Sequence, residues 1–254
     1  SDLNAARLPV PPRPQIIYSP IIRYSVKYQI NLFSLMLHIE KNLEIKISEK
    51  NIDYEKAIKL MKKRVNDILS KKEKELIWFL NHDHIYTCGT SSNQSEILHK
   101  TNVPIINTNR GGKVTYHGPG QRIIYLMINL NNRKKDIRKF INVLENSIIC
   151  LLKNFQIEST SFSNRVGIWV TKANGVKLSK EKKIGAIGLR IQKWITYHGL
   201  SFNIDPDLTY YKNIKACGLT NYSATSLREL GINLSQKEFD QIFISILDKK
   251  LKSF

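Results

Sequence analysis

With 254 residues, 42 % of them hydrophobic and 24 % charged, the chain has material for one large domain or two small ones and the balance of a soluble globular protein. Forty Lys and Arg against 21 Asp and Glu give a formal net charge of +19. That favours acidic partners, though an abundance of Lys, Ile and Asn of the kind A/T-rich coding produces puts much of the charge on solvated surface. The three cysteines, Cys88, Cys150 and Cys217, are odd in number and far apart. They exclude a disulfide framework or paired-cysteine zinc site and point to a reducing compartment, while no apolar run nears the roughly 20 residues of a membrane span and no cleavable signal is evident.

Taken in order, residues 1–43 form an N-terminal extension. Pro9, Pro11, Pro12, Pro14 and Pro20 favour an extended arm, and residues 21–43 are apolar and basic without a clean period. The catalytic domain is expected over 44–254. Glu44–Ser48 alternates like a short strand, and Asp53–Lys72 reads as an amphipathic helix with Ala57, Met61, Val65 and Ile68 on one face. Leu76–Leu80 is a short apolar strand and Val103–Ile106 another. Arg122–Leu130 is apolar almost throughout, which predicts a strand covered on both faces. A second helix is predicted over Asp136–Phe155 with Asp136 as N-cap and Cys150 near its apolar face as a packing residue. Val166–Val170, Lys183–Ile191 and Trp194–Ile204 read as strands, the last two joined into an antiparallel hairpin at Gln192–Lys193. Thr225–Leu227 opens a short helix, and a last helix starts at Ser235, where Ser235 and Glu238 make a capping box. Mixed elements without strict alternation of strand and helix predict an α/β (α+β) fold with a mixed, largely antiparallel sheet and flanking helices.

Chemistry concentrates in two places. Arg110-Gly111-Gly112-Lys113-Val114-Thr115-Tyr116-His117-Gly118-Pro119-Gly120-Gln121 puts four glycines and a proline among polar side chains, as a binding loop or an ordinary glycine-rich turn would. Downstream, Cys217 sits beside Gly218 on a loop, where a sulfur can be exposed; a free thiol near pKa 8.5 needs a neighbouring base or cation to act as a nucleophile. Lys183, His117 and His198 are the available helpers, with a solvated lysine and backbone-bonded histidines as the competing readings. No P-loop, dinucleotide fingerprint or metal-ligand spacing occurs. The residues alone therefore define a thiol-based transferase or hydrolase.

Four blocks in this order resemble the lipoyl(octanoyl) transferase family, the lipoate–protein ligase B type. They are His84–Gly89, Arg110–Gln121, Lys183–Gly188 through Thr196–Gly199, and Ala216–Leu219 with Thr225–Leu227; the resemblance covers about residues 44 to 251. It implies the biotin/lipoate protein ligase-like fold and transfer of an octanoyl or lipoyl group from acyl carrier protein to a lysine of a lipoyl domain. Carried over by motif, Cys217 holds the acyl group as a thioester, and Lys183 lowers the thiol's pKa and acts as acid and base. The resemblance assigns the acyl pocket to Arg110, Gly111, Gly112, Lys113, Val114, Thr115, Tyr116 and His117, with Ala186, Ile187, Gly188, Gly199, Leu200 and Ser201. Its glycines are expected to leave room for the acyl tail, and backbone N–H groups near Gly188 or Gly218 to stabilise an oxyanion. Ala216, Gly185 and Cys88 stand where the family commonly has proline, alanine and leucine. Neither ATP nor a metal cofactor is expected. The implied partners are octanoyl-acyl carrier protein, the lipoyl domains of 2-oxoacid dehydrogenase complexes and the glycine cleavage H protein, with no nucleic acid or membrane and a monomeric state. The implied compartment is the bacterial cytoplasm, with mitochondrion or plastid as the alternative. An ATP-dependent lipoate or biotin ligase on the same fold is the nearest rival reading, and a basic nucleic-acid-binding protein a rival of another class.

Overall fold

Apolar residues at helical spacing need a sheet to cover, and this chain supplies one with two apolar faces. The computed structural model describes residues 42–99, 101–163, 165–215 and 223–254. The expected extension, but for its last two residues, and Cys217 with Gly218 lie outside the described residues. Strand β1 (Leu43–Ile47) pairs in parallel with β2 (Glu75–Leu80), and α1 (Tyr54–Leu69) crosses between them. Among the described residues the main sheet continues through β6 (Gln121–Met127), β10 (Ile195–Asn203), β9 (Val176–Gln192), β8 (Arg165–Ala173) and β7 (Glu158–Phe162), all antiparallel to their neighbours. A small second sheet has β3 (Ile85–Cys88) between β4 (Ile105–Asn107) and β5 (Thr115–His117).

The period of two in β2 and β6 sorts their side chains to two cores. Leu76, Trp78, Leu80, Ile123, Tyr125 and Met127 pack under Ala57, Met61 and Val65 of α1. Ile77, Phe79, Ile124 and Leu126 face α2 (Ile137–Lys153) and α3 (Gln236–Lys252), meeting Phe140, Leu144, Phe239 and Phe243. The continuous apolar run of β6 is thus a strand buried on both faces, as its composition predicts. Asp53, Asp136 and Ser235 cap the three helices, each side chain accepting from a backbone N–H three residues on. The capping box at Ser235 is complete, with Glu238 accepting from the Ser235 N–H at 2.9 Å. Buried Arg122 on β6 and Asp240 on α3 form a two-pronged ion pair with contacts of 2.9 and 2.5 Å, locking helix to sheet.

Several expectations are corrected. The hairpin turns at Lys193–Trp194, both with positive φ (48° and 66°), because Gln192 and Ile195 already pair. Cys150 is exposed, so it does not pack into the α2 face. Residues 226–231 make a turn rather than a helix, ending at Gly231 with φ of 82°. Lys183 lies in the middle of the 17-residue β9, not at a strand start.

Candidate active site

The site forms where β9 changes partner. From Gln192 to Gly185, β9 pairs with β10; past Phe202, β10 has left. At Lys183 the vacated edge is taken by residues 223–225. The Lys183 N–H donates to Ser223 O at 2.9 Å, and the Thr225 N–H donates to Lys183 O at 2.8 Å. On the other edge the register slips between Ile168↔Gly185 and Trp169↔Lys183, so Ile184 is an extra residue in a β-bulge. Bulges bend a strand and re-aim its side chains, and this one sits at the lysine. The Lys183 Nζ lies 5.6 Å from the Trp169 ring centroid, within cation–π range.

The segment containing Cys217 is therefore bracketed. Ahead of it, the Lys215 N–H donates to Glu96 O at 2.7 Å and Ile214 bridges Ile97. Behind it, Ser223 is bonded to Lys183. Glu96 is buried, and its carboxylate accepts from Lys113 Nζ at 2.7 Å and Val114 N–H at 3.2 Å. One residue thus ties the glycine loop to the approach to Cys217.

A cavity of about 360 Å³ opens beside Lys183, within the size range of small-molecule sites. It is lined by Arg110, Gly111, Gly112, Lys113, Val114, Thr115 and His117, by Lys183, Ala186, Ile187 and Gly188, and by Gly199, Leu200 and Ser201, with Trp169, Ser223 and Ala224 beside the lysine. Tyr116 is the exception among the expected pocket residues. Alternation along β5 turns it away into an aromatic stack, its ring 4.8 Å from Tyr210 and its hydroxyl 2.7 Å from His84 Nδ1. Burial and the neighbouring tyrosines push its hydroxyl pKa up. A side chain on Gly199 would run into the Ile124 carbonyl, and one on Gly188 would stand 2.9 Å from Gly111 O. At these two positions glycine permits close approach of backbones at the cavity wall.

Arg110 closes the glycine loop from within. Its guanidinium donates to Thr87 O at 2.6 Å, Lys113 O at 2.8 Å and Gly111 O at 3.0 Å. His117 begins a chain of hydrogen bonds whose polarity the geometry fixes. Asn203 Nδ2 donates to Thr225 O at 2.9 Å, so Asn203 Oδ1 is left to accept from Gln121 Nε2 at 2.9 Å. Gln121 Oε1 then accepts from His117 Nδ1–H at 2.7 Å. His198 Nε2–H donates to Asn109 Oδ1 at 2.9 Å, and His82 donates from Nδ1 to Ile52 O at 2.6 Å while Tyr125 OH lies 2.7 Å from its Nε2. Burial drives His82 down to about 4, and burial with neighbouring positive charge drives His117 and His198 to about 3. All three rings are neutral near pH 7. Among the described residues no three His, Cys, Asp or Glu side chains converge as metal ligands would.

Glu96, Gln121, Asn203, Trp169 and Gly167 carry weight that the sequence alone did not assign them. Locally, Asn93 orders the turn that carries Glu96: its Oδ1 accepts from Ser95 N–H at 3.1 Å and its carbonyl from Glu96 N–H at 2.9 Å.

A mixed sheet covered by helices on both faces thus carries a lysine-edged cavity walled by a glycine loop, the layout of an α+β catalytic domain. Residues 53–248 match the lipoyl protein ligase A/B catalytic domain, and the chain belongs to that family. Within it, the chain is 47 % identical over 199 residues to an octanoyltransferase of Ehrlichia chaffeensis, covering 78 % of this chain and 91 % of the relative. It is 48 % identical over 197 residues to one of Wolbachia pipientis wMel (77 % and 93 %) and 43 % over 218 residues to one of Bartonella bacilliformis (81 % and 90 %). In structure it is similar to a bipartite lipoate protein ligase from Thermoplasma acidophilum, with TM-score 0.60, 14 % identity and 85 % of each chain covered. A lipoate-protein ligase A bound with ATP gives TM-score 0.59 at 15 % identity, covering 82 % of this chain and 86 % of the other. At such identities the likeness is one of fold.

Proposed function

We propose that octanoyl transfer by this chain runs through an acyl thioester on Cys217, with Lys183 as its acid and base. The enzyme is an acyltransferase of protein lipoylation, as its family and its octanoyltransferase relatives indicate. The Cys217 thiolate attacks the carbonyl of the carrier-bound octanoyl thioester, forming the enzyme thioester and breaking the bond to the carrier's sulfur, which takes a proton from the Lys183 ammonium. The amine of the acceptor lysine on a lipoyl domain then attacks the Cys217 thioester. An amide forms, the thiolate leaves, and Lys183 takes up the proton the amine loses. Thioester exchange is nearly isoenergetic and amide formation is downhill, so the cycle needs neither ATP nor a metal.

The observation that carries this reading is the hydrogen-bonded clamp between Lys183 and residues 223–225, which brings the chain emerging from the Cys217 segment to the lysine at the cavity wall. The neutral histidines support the assignment. A ring that protonates near pH 3 is a poor proton acceptor at pH 7, which leaves the lysine for that role. We assign the lipoyl domains of 2-oxoacid dehydrogenase complexes and the glycine cleavage H protein as acceptors, octanoyl-acyl carrier protein as donor, a monomeric state and the bacterial cytoplasm as compartment. The net charge of +19 suits acidic protein partners of this kind.

Intact mass after incubation with octanoyl-acyl carrier protein tests the reading. A single octanoyl adduct, absent in Cys217→Ser, is expected without ATP. Adduct formation that persists in Cys217→Ser, or lipoyl-domain modification that requires ATP, overturns it.

A further inference from the structure

Gly167 lies on β8 directly under the side chain of Lys183. Its φ is 121°, in the region that favours glycine. Conformation alone does not describe what it does. A Cβ built there would run into Lys183 Cε and stand 2.9 Å from Lys183 Nζ and 2.6 Å from Gly185 O. Two other glycines with positive φ differ. Gly175, at 76°, has nothing within 4 Å of such a Cβ, and Gly231, at 82°, has only Asn174 Nδ2 at 3.9 Å. Those two serve turns; at Gly167 the space that a side chain would fill holds the end of the lysine, beside the Gly185 carbonyl oxygen.

The remaining contacts define a seat. Trp169, two residues along β8, is buried and presents its ring to the ammonium at 5.6 Å. The bulge at Ile184 offsets β9 against β8 at this point, and residues 223–225 fix the lysine backbone from the other edge. Backbone, ring and bare α-carbon thus bound the lysine on three sides.

We propose that Gly167 is a positioning residue for acyl transfer: its bare α-carbon seats the Lys183 side chain so that the ammonium is held at the cavity wall in the position its acid–base role requires. The proposal rests on the acid–base reading of Lys183 given above. Adding one methyl group displaces the end of the lysine by roughly 1 Å, a misplacement that costs on the order of 10²-fold in rate when a catalytic group is involved.

The test uses four full-length proteins: wild type, Gly167→Ala, Lys183→Ala and the double variant. Two quantities are read: kcat and KM for transfer from octanoyl-acyl carrier protein to a lipoyl domain, and the pH midpoint for alkylation of Cys217 by iodoacetamide. Peptide mass mapping separates Cys217 from Cys88 and Cys150. Gly167→Ala is expected to lower kcat by about 10²-fold with KM within about threefold. It should raise the alkylation midpoint by about one pH unit, as Lys183→Ala is expected to do, and change nothing further in the Lys183→Ala background. Wild-type kcat and midpoint in Gly167→Ala, or a midpoint in the double variant beyond that of Lys183→Ala, overturns the proposal, because an effect that ignores the lysine is merely structural. Should Gly167→Ala fail to fold by circular dichroism while the double variant folds, the clash with the lysine is upheld. Should neither fold, the positive φ and the contact with Gly185 O demand glycine whatever the lysine does, and the proposal falls. Wild-type turnover and midpoint in Lys183→Ala would instead identify the acid–base reading as the failure, and the proposal would fall with it.

Discussion

Acidification should unfold this protein through three histidines rather than through its surface carboxylates. His82, His117 and His198 are buried and neutral, with pKa values down to about 4, 3 and 3. In the unfolded chain each titrates near 6.5. The folded values are depressed, so their contribution is full above pH 6.5 and is lost as pH falls toward the folded values. Between pH 7 and pH 5 the unfolded state takes up about 0.7 proton at each site while the folded state takes up almost none. Each histidine then costs about 2 kcal/mol over that interval, and the three together about 6 kcal/mol, as an upper figure because they share one cluster. That is a large part of the 5–15 kcal/mol typical of a domain. Urea unfolding at pH 7, 6 and 5 measures the loss directly. His82→Gln retains an amide to donate to Ile52 O and should lower stability at pH 7 while removing about 2 kcal/mol of the decline to pH 5. A wild-type decline below about 1 kcal/mol over those two pH units would show that the rings are not held neutral, and would refute the reasoning.

Two further substitutions probe how the site is braced. Asp240→Ala leaves Arg122 charged, buried and without its carboxylate, which should cost about 3–5 kcal/mol; the pair Arg122→Met with Asp240→Leu should recover most of it. Chemical denaturation decides, and a loss under about 1 kcal/mol for the single variant would contradict the reading. Glu96→Ala removes the acceptor for Lys113 Nζ and Val114 N–H and should cost about 1–3 kcal/mol while also reducing turnover. Unchanged thermal unfolding and kcat would show that the glycine loop does not depend on this carboxylate.

How much of this was legible in the sequence follows from the range of the interactions involved. The three helices were readable because their caps and apolar faces are local, as Asp53, Asp136 and Ser235 show. Strands β3, β5 and β7 are three to five residues long and owe their existence to partners distant in the chain, so no periodicity announced them. The hairpin turn was misplaced by one residue because Lys193 and Trp194 adopt positive φ without glycine or asparagine to signal it. Lys183 closes a run of charged residues and reads locally as solvated surface. What distinguishes it comes from Gly167 and Trp169 on one neighbouring strand and from Ser223 and Thr225 about 40 residues downstream. The four-block family pattern carried information about those distant contacts that composition and spacing do not.

The glycine loop and the lysine are mechanically one unit, and this explains why a loop that supplies no nucleophile is so rich in polar side chains. His117 donates to Gln121, Gln121 to Asn203, Asn203 to Thr225 O, and the Thr225 N–H to Lys183 O. Every donor and acceptor in that relay is committed in one direction, so the loop cannot shift its histidine without disturbing the strand edge that holds the lysine. A buried network satisfied at each step is stiff, and the roles proposed for Lys183, proton donor to the carrier's sulfur and then acceptor from the lipoyl-domain amine, call for that stiffness. Arg110, bonded to three carbonyls of the loop and of β3, completes the brace from the opposite side. On this view the neutral state of His117 is itself functional. A charged ring would add a cation beside Arg110 in a buried site, at a cost that its hydrogen bond to Gln121 does not offset.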